Sequence, residues 1–143
     1  MIRRIGICEN QPHPPQNDMP CLPHDQLIEM DEVEMAKQAA GIAACDFVSS
    51  GMDVGLGTGS TVKYTVIELG RRMVEEGLKI RGVPTSIETE KLAKSLKIPL
   101  LEWHEVDTLA VTIDGADEFD SAFHLIKGGG GALTREKIVA QVS

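Results

Sequence analysis

Three short runs of the sequence contain residue types that bind anions or move protons. They are the glycine-rich run 55–61 (GLGTGST), the acidic run 114–118 (DGADE) and the mixed run 127–137 (KGGGGALTREK). Backbone N–H groups in glycine-rich turns bind anions. Carboxylates transfer protons or accept hydrogen bonds from hydroxyl groups. Together these residue types are typical of a site for a small anionic substrate.

The run 55–61 is predicted to connect a strand to a helix, where N–H groups and hydroxyls suit a phosphate monoester. It is not a P-loop, because four spacers after Gly55 the chain has Ser60 and Thr61, where such a loop requires glycine and lysine. It also departs from a dinucleotide-binding fingerprint, since Ser60 occupies the third glycine position and the next strand ends without a carboxylate. A tight turn used only for packing remains the alternative.

The run 114–118 follows a predicted buried strand, 109–113, and open α/β sheets bind ligands where strands end. Its spacing does not fit a calcium loop, which needs ligands at alternate positions and a glycine at the sixth. Magnesium binding, hydrogen bonding to sugar hydroxyls and proton transfer all remain open. A solvated acidic turn with no ligand is the structural alternative.

The run 127–137 begins with a lysine and four consecutive glycines. Four glycines cost backbone entropy, so close approach of a ligand to their N–H groups is the natural explanation. Glu136 is expected in the first turn of the following helix, where it would more often only interact with the helix dipole. Beside Lys127 and N–H donors, however, its carboxylate suits proton abstraction next to a carbonyl, with the donors stabilising an enediolate oxygen.

Alternating helical and strand patterns must position these runs. Helices are predicted at 30–48, 61–76, 85–96 and from 133 to the end, and strands at 52–56, 80–84, 98–103 and 109–113. The third helix is predicted to begin with a capping box of Thr85 and Glu88. This alternation predicts an α/β fold, with a Rossmann-like, mostly parallel sheet and helices on both faces.

Composition excludes several classes of protein. The chain has 143 residues, a formal net charge of -8 and only five aromatic residues, which argues against a nucleic-acid surface. No apolar run approaches the ~18 residues of a membrane span. The apolar stretch 5–8 is too short for a signal peptide, and three widely spaced cysteines suggest no disulfide framework. We therefore expect a cytoplasmic protein.

Residues 1–24 differ from the rest because they contain five of the seven prolines. Proline removes backbone donors and helical conformations, so we expect a disordered arm here and a folded domain at 25–143. A zinc site formed by Cys8, His13, Cys21 and His24 is the alternative for this segment. Their spacing matches no common zinc finger, so we predict no metal.

Together with the pair Thr85 and Ser86, the three runs resemble ribose-5-phosphate isomerase of the A type, in the same order along the chain. The resemblance covers about residues 26–143. It implies interconversion of D-ribose 5-phosphate and D-ribulose 5-phosphate through an enediol(ate), in the non-oxidative branch of the pentose phosphate pathway. It also implies that no metal or other cofactor takes part.

The resemblance also implies a role for each matching residue. Glu136 would be the base that moves the proton between C2 and C1. Asp114 would assist ring opening and handle hydroxyl protons, with Asp117 beside it on the sugar. Lys127 and the N–H groups of the glycine loop would hold the developing oxyanion. The residues implied for binding the phosphate and lining its cleft are Thr58, Gly59, Ser60, Thr61, Thr85, Ser86, Gly128, Gly129 and Gly130.

Members of that family continue well beyond residue 143, so the resemblance implies that the C-terminal α+β lobe is missing and the domain 25–143 is incomplete. A homo-oligomer is expected for the full-length form. The expected partner is a small sugar phosphate, with no nucleic acid and no membrane.

Other functions remain as alternatives. One is an inactive truncated fragment of the isomerase, and another is a non-catalytic sugar-phosphate-binding domain. A repressor-type sensor would carry a basic helix-turn-helix, which residues 1–24 do not offer. Amino-sugar phosphate deaminases would not be expected to carry both the Asp114 and the Lys127 motifs.

Overall fold

The computed structural model describes residues 24–143, with side chains from residue 32 onward. Residues 1–23 of the predicted arm, with the candidates Cys8, His13 and Cys21, lie outside the described residues, as does the side chain of His24. The interpretations of that segment therefore stay predictions.

Four helices and five strands make up the described part of the chain. The helices are α1 (His24–Ala43), α2 (Ser60–Glu75), α3 (Ile87–Ser95) and α4 (Leu133–Gln141), with 3₁₀ turns at Ala44–Phe47 and Trp103–Glu105. The strands are β1 (Asp53–Leu56), β2 (Arg81–Pro84), β3 (Val111–Ile113), β4 (Glu118–Phe119) and β5 (Leu125–Ile126).

The strands β2, β1 and β3 form a parallel sheet in that order, and β4 pairs with β5 as an antiparallel hairpin. Gly55 in the middle strand lies opposite Val83 on one side and Thr112 on the other. This register places the ends of the three parallel strands side by side. The predicted α/β fold with a parallel sheet is confirmed.

The sheet buries apolar side chains on both faces. Val54 and Leu56 of β1 belong to one cluster, which also includes Val66 and Leu69 of α2 and Ala93 of α3. The opposite face carries a smaller cluster of Val83, Leu101, Leu109 and Val139, the last of which belongs to α4. Alternate residues of a strand face opposite sides of the sheet, so the two clusters lie on opposite faces. Helices α2 and α3 therefore cover one face and α4 covers the other. The predicted helices on both faces are confirmed.

The beginning of α3 differs from the predicted capping box. Ser86 is the N-cap residue, and its hydroxyl accepts a hydrogen bond from the N–H of Thr89 at 3.1 Å. Thr85 does not serve as the cap because it still belongs to the sheet: its N–H donates to the carbonyl of Leu56 at 2.9 Å. The capping box of Thr85 and Glu88 was therefore wrong by one residue.

Two predicted strands are shorter or less buried than expected. In the segment predicted as a strand at 98–103, only Leu100 makes a bridge, to Gly82. The strand predicted at 109–113 is Val111–Ile113, and all three of its residues are half-buried rather than buried. Among the described residues β3 pairs only with β1, so its outer edge is less covered than the central strand.

No helix in the described part of the chain is long and apolar enough to cross a membrane.

Replacing Leu69 with alanine tests the larger apolar cluster. Leu69 is fully buried, so Leu69→Ala should lower the free energy of unfolding by about 2–5 kcal/mol, measured by urea denaturation. Val74 lies on the same helix but is 82% exposed, and Val74→Ala should change that free energy by less than about 0.5 kcal/mol. Equal losses in the two variants would contradict the assignment of this face of α2.

The thiol of Cys45 should be unreactive in the folded chain. Burial raises the pKa of Cys45 to about 11, and its Sγ lies 3.5 Å from the carbonyl oxygen of Gly41. In a Cys8→Ser/Cys21→Ser variant, a disulfide reagent at pH 8 should therefore label Cys45 only as fast as the protein unfolds, because the thiolate is the nucleophile. The same variant in urea is the control and should react at once. Rapid labelling without urea would contradict this burial.

Candidate active site

The three motif runs meet at one edge of the sheet. The N–H of Gly57, after β1, donates to the carbonyl of Ile113 at 2.9 Å, and the N–H of Thr85, after β2, donates to the carbonyl of Leu56 at 2.9 Å. The loops that follow all three parallel strands therefore begin next to one another. The carboxyl edge of an open parallel sheet is where such folds bind ligands.

Lys127 connects the acidic run to the helix that carries Glu136. Its Nζ lies 3.0 Å from Oδ2 of Asp114 and 3.3 Å from Oε2 of Glu136, and it also donates to the carbonyl of Gly115. The side chains of Lys127 and Asp114 are only 19% and 11% exposed. The Lys127 ammonium group thus forms ionic contacts with two carboxylates in a partly desolvated site, where electrostatic interactions are stronger than in water.

The carboxylate of Glu136 is buried but incompletely bonded. Glu136 lies in the first turn of α4 and is 5% exposed. Its Oε2 has no hydrogen-bond partner among the described residues, so the 3.3 Å approach of Lys127 is an ionic contact without hydrogen-bond geometry. A buried carboxylate oxygen without such a bond is costly. A bound molecule could therefore donate a hydrogen bond to this atom.

Asp114 is held firmly at the end of β3. Its Oδ1 accepts hydrogen bonds from the N–H of Thr58 at 3.0 Å and from its neighbour Gly115 at 2.8 Å. A Cβ at position 57 would lie only 2.3 Å from the same oxygen, so this approach requires glycine there. The close contact between the glycine-rich run and the acidic run depends on that missing side chain.

Asp117 organises the glycine loop. Its Oδ2 accepts a hydrogen bond from the N–H of Gly129 at 2.8 Å, and the N–H of Gly131 donates to the carbonyl of Gly128 at 3.0 Å. Gly128 has φ +107°, a conformation that favours glycine. The N–H of Gly129, which the sequence placed among the oxyanion donors, is therefore already engaged by Asp117.

The run 58–61 forms the opposite wall of the cleft. Helix α2 starts after Gly59, which has φ +114° and provides no side-chain cap. The first N–H groups of an uncapped helix are available to an anion. A cleft of about 190 Å³ opens between this wall and the other two runs. Its lining includes Thr58, Gly59, Ser60, Thr61, Asp117, Lys127, Gly128, Gly130 and Glu136.

Thr85 and Ser86 support this wall from behind. The hydroxyl of Thr85, which is fully buried, lies 2.7 Å from that of Thr58. The hydroxyl of Ser86 is used in capping α3. Both residues also line an adjoining cavity of about 530 Å³, which shares Gly130 with the cleft.

Two residues of this region were missed in the sequence. Thr89 donates its hydroxyl to the carbonyl of Gly57 at 2.7 Å, and Arg135 lines the adjoining cavity. A threonine three residues after Ser86 was a signal for Thr89, but the capping pattern was placed one residue too early. Arg135 immediately precedes Glu136 in the first turn of α4, and this position could have indicated that it lies near the site.

No group of three or more metal-ligating side chains lies together within residues 32–143.

The chain is similar to known ribose 5-phosphate isomerases. A profile of the family described as ribose 5-phosphate isomerase A (phosphoriboisomerase A) matches residues 81–143. Ribose-5-phosphate isomerase A of Bacillus mycoides (strain KBAB4) is 62% identical over 107 residues, which are 75% of this chain and 48% of that protein. The chain thus spans about half the length of the curated relatives it matches.

Solved structures show the same similarity. Ribose 5-phosphate isomerase from Plasmodium falciparum superimposes with a TM-score of 0.74 at 44% identity, over 77% of this chain and 48% of that one. A D-ribose-5-phosphate isomerase in complex with phospho-erythronic acid gives 0.74 at 42% identity, over 76% and 48% of the respective chains.

A pair of glycine substitutions tests the packing of the first two runs. Gly57→Ala places a methyl group 2.3 Å from Oδ1 of Asp114, so it should lower the free energy of unfolding by about 1–3 kcal/mol and disturb the amide of Thr58. The matched control is Gly115→Ala, whose Cβ would meet nothing closer than the carbonyl of Thr58 at 4.0 Å. Urea denaturation and the NMR shift of the Thr58 amide measure both effects. A harmless Gly57→Ala would contradict the contact.

Proposed function

Since the chain belongs to the ribose 5-phosphate isomerase A family, we propose that it interconverts D-ribose 5-phosphate and D-ribulose 5-phosphate. The observation that carries the proposal is the buried Glu136 carboxylate, whose Oε2 lacks a hydrogen bond and lies 3.3 Å from Lys127 in a polar cleft. A buried carboxylate beside a fixed cation is suited to proton transfer next to a carbonyl.

The phosphate of the substrate lies at the start of α2. Gly59, Ser60 and Thr61 supply N–H groups and hydroxyls there, and the uncapped helix start favours an anion. The net charge of -8 does not oppose this, because local donors determine the potential inside a cleft. The relative solved with phospho-erythronic acid supports a phosphorylated sugar acid as a ligand for this kind of site.

The base of the reaction is Glu136. Its Oε2 takes the proton from C2 of the open-chain aldose, the C2 electrons form the C1–C2 double bond, and the carbonyl oxygen at C1 becomes an oxyanion. Transfer of the O2 hydroxyl proton to the O1 oxyanion and return of the Glu136 proton to C1 then give the ketose, with a hydroxyl at C1 and the carbonyl at C2. No net oxidant or reductant is needed, since the sugar is rearranged internally.

Lys127 stabilises the oxyanion of the intermediate. Its Nζ already lies between two carboxylates, so it can move toward the developing charge while Asp114 retains it at 3.0 Å. A fixed cation in a partly desolvated cleft lowers the energy of an enediolate more than solvent does.

Two further carboxylates act on the hydroxyl groups of the sugar. Asp114 assists ring opening by exchanging protons with the sugar, and Asp117 binds a neighbouring hydroxyl. Both follow β3, and Asp117 lines the cleft directly. Their hydrogen bonds to backbone N–H groups keep both carboxylates in place.

The finer parts of the proposal follow from this chemistry. Carboxylate and ammonium groups suffice for the proton transfers, so we propose a reaction without a metal or cofactor, in the non-oxidative branch of the pentose phosphate pathway. A cytoplasmic location and a homo-oligomeric assembly stay predictions.

Glu136→Gln tests the proposed base. The amide keeps the shape of the side chain but cannot accept the proton, so turnover of ribose 5-phosphate to the ketose should fall by at least about 10²-fold. Calorimetry should show that phospho-erythronic acid still binds. Assays with a chelator present test the proposal that no metal takes part.

The matched control for this substitution is Glu75→Gln on the exposed end of α2, where Glu75 pairs with Arg71 at 2.5 Å. It should leave turnover unchanged. Wild-type turnover in Glu136→Gln would refute the assignment of the base. A wild-type chain that binds phospho-erythronic acid but produces no ketose would instead support a non-catalytic binding domain.

A further inference from the structure

Thr89 fixes one peptide group at the start of the proposed phosphate-binding run. The hydroxyl of Thr89 donates to the carbonyl of Gly57 at 2.7 Å, on one side of the peptide that joins Gly57 to Thr58. On the other side, the N–H of Thr58 donates to Oδ1 of Asp114 at 3.0 Å. Two side chains therefore hold a single peptide group from opposite directions.

This arrangement continues the hydrogen-bond pattern of the sheet beyond its last strand residue. One peptide earlier, the carbonyl of Leu56 accepts from Thr85 and the N–H of Gly57 donates to the carbonyl of Ile113, as in a parallel sheet. At the next peptide the backbones of β2 and β3 have diverged. A hydroxyl from α3 and a carboxylate from the loop after β3 take the places of backbone partners.

The bonds of Thr89 leave its hydroxyl little freedom. Thr89 is buried, its N–H donates to the hydroxyl oxygen of Ser86 at 3.1 Å, and the hydroxyl of Ser86 donates back to that of Thr89 at 3.0 Å. The single hydroxyl proton of Thr89 is thus directed at the carbonyl of Gly57. Helix α3 holds the peptide through a short, closed set of hydrogen bonds.

The orientation of this peptide determines where the following N–H groups lie. Gly59, two residues beyond Gly57, has φ +114°, and α2 begins immediately after it. If the peptide between Gly57 and Thr58 rotated, Asp114 would lose a donor and the start of α2 would shift relative to Lys127.

We infer that Thr89 is a positioning residue for the proposed site: it orients the peptide between Gly57 and Thr58, and through it both Asp114 and the phosphate-binding N–H groups. This rests on the proposed function as far as the phosphate is concerned. Thr89 does not line the 190 Å³ cleft, but it borders a neighbouring cavity of about 480 Å³ beside Thr58 and Ser60. Its hydroxyl proton is used by the carbonyl of Gly57, so its effect on a ligand in the 190 Å³ cleft passes through the peptide.

The test compares Thr89→Val, which removes the hydroxyl and keeps the shape, with Thr89→Ser, which keeps the hydroxyl. The probe is inorganic phosphate, whose Kd is measured by calorimetry, and hydrogen exchange of the Thr58 amide reports the peptide directly. Thr89→Val should raise the Kd and speed the exchange by about ten-fold each, as expected for one lost hydrogen bond. Thr89→Ser should stay within about two-fold of the wild type in both.

Thr65→Val is the matched control. Thr65 is also buried and donates its hydroxyl to a carbonyl, that of Gly41 at 2.9 Å, but outside the cleft. It should lose comparable stability without changing either readout. If Thr89→Val fails to fold, Thr89→Ala removes the same hydroxyl without a β-branched side chain in the helix and takes its place.

The outcomes separate the two proposals. Equal behaviour of Thr89→Val and Thr65→Val in both measurements would overturn the positioning role. A wild-type chain that does not bind phosphate would count against the proposed function instead, and the Thr58 exchange alone would then decide the role of Thr89. Faster exchange with unchanged phosphate affinity would overturn the link between the peptide and the ligand.

Discussion

The positive charge of Lys127, shared between Asp114 and Glu136, is the interaction on which the site depends. Two buried or nearly buried carboxylates that both contact one ammonium group would repel one another without it. Asp114 is further held by two N–H groups, whereas Oε2 of Glu136 has only the ionic contact. Asp114 is therefore the more firmly held of the two carboxylates, and Glu136, the proposed base, is the one with an oxygen not engaged in a hydrogen bond.

The fold supplies this arrangement through the parallel sheet. A Cβ at Gly55 in the central strand would lie under 3.0 Å from Thr112 and Val139. A Cβ at Gly57, just after that strand, would lie equally close to Asp114. Helix α4 can therefore approach the sheet closely, with Val139 packed on it and Glu136 one turn earlier at the cleft. The packing of α4 and the placement of its carboxylate have the same cause.

The sequence was sufficient to predict the parallel α/β fold and the three runs at its edge, because glycine turns and hydrophobic periodicity are local signals. It did not reveal which atoms the side chains bond. Thr85 was predicted as a helix cap, but its N–H donates to the carbonyl of Leu56 in the sheet, and Ser86 is the cap. Likewise, the N–H of Gly129 was expected to be available to a ligand, but it donates a hydrogen bond to Asp117. These outcomes depend on contacts between distant parts of the chain, which local patterns do not encode.

The parallel register also bears on how the chain folds. Thr58 and Asp114 are 56 positions apart, and parallel pairing brings them together only after the intervening helices and β2 have been placed. Contacts of such long sequence separation form slowly because loop closure must precede them. Helical structure should consequently appear early during refolding, and the cleft should be assembled among the last parts of the molecule.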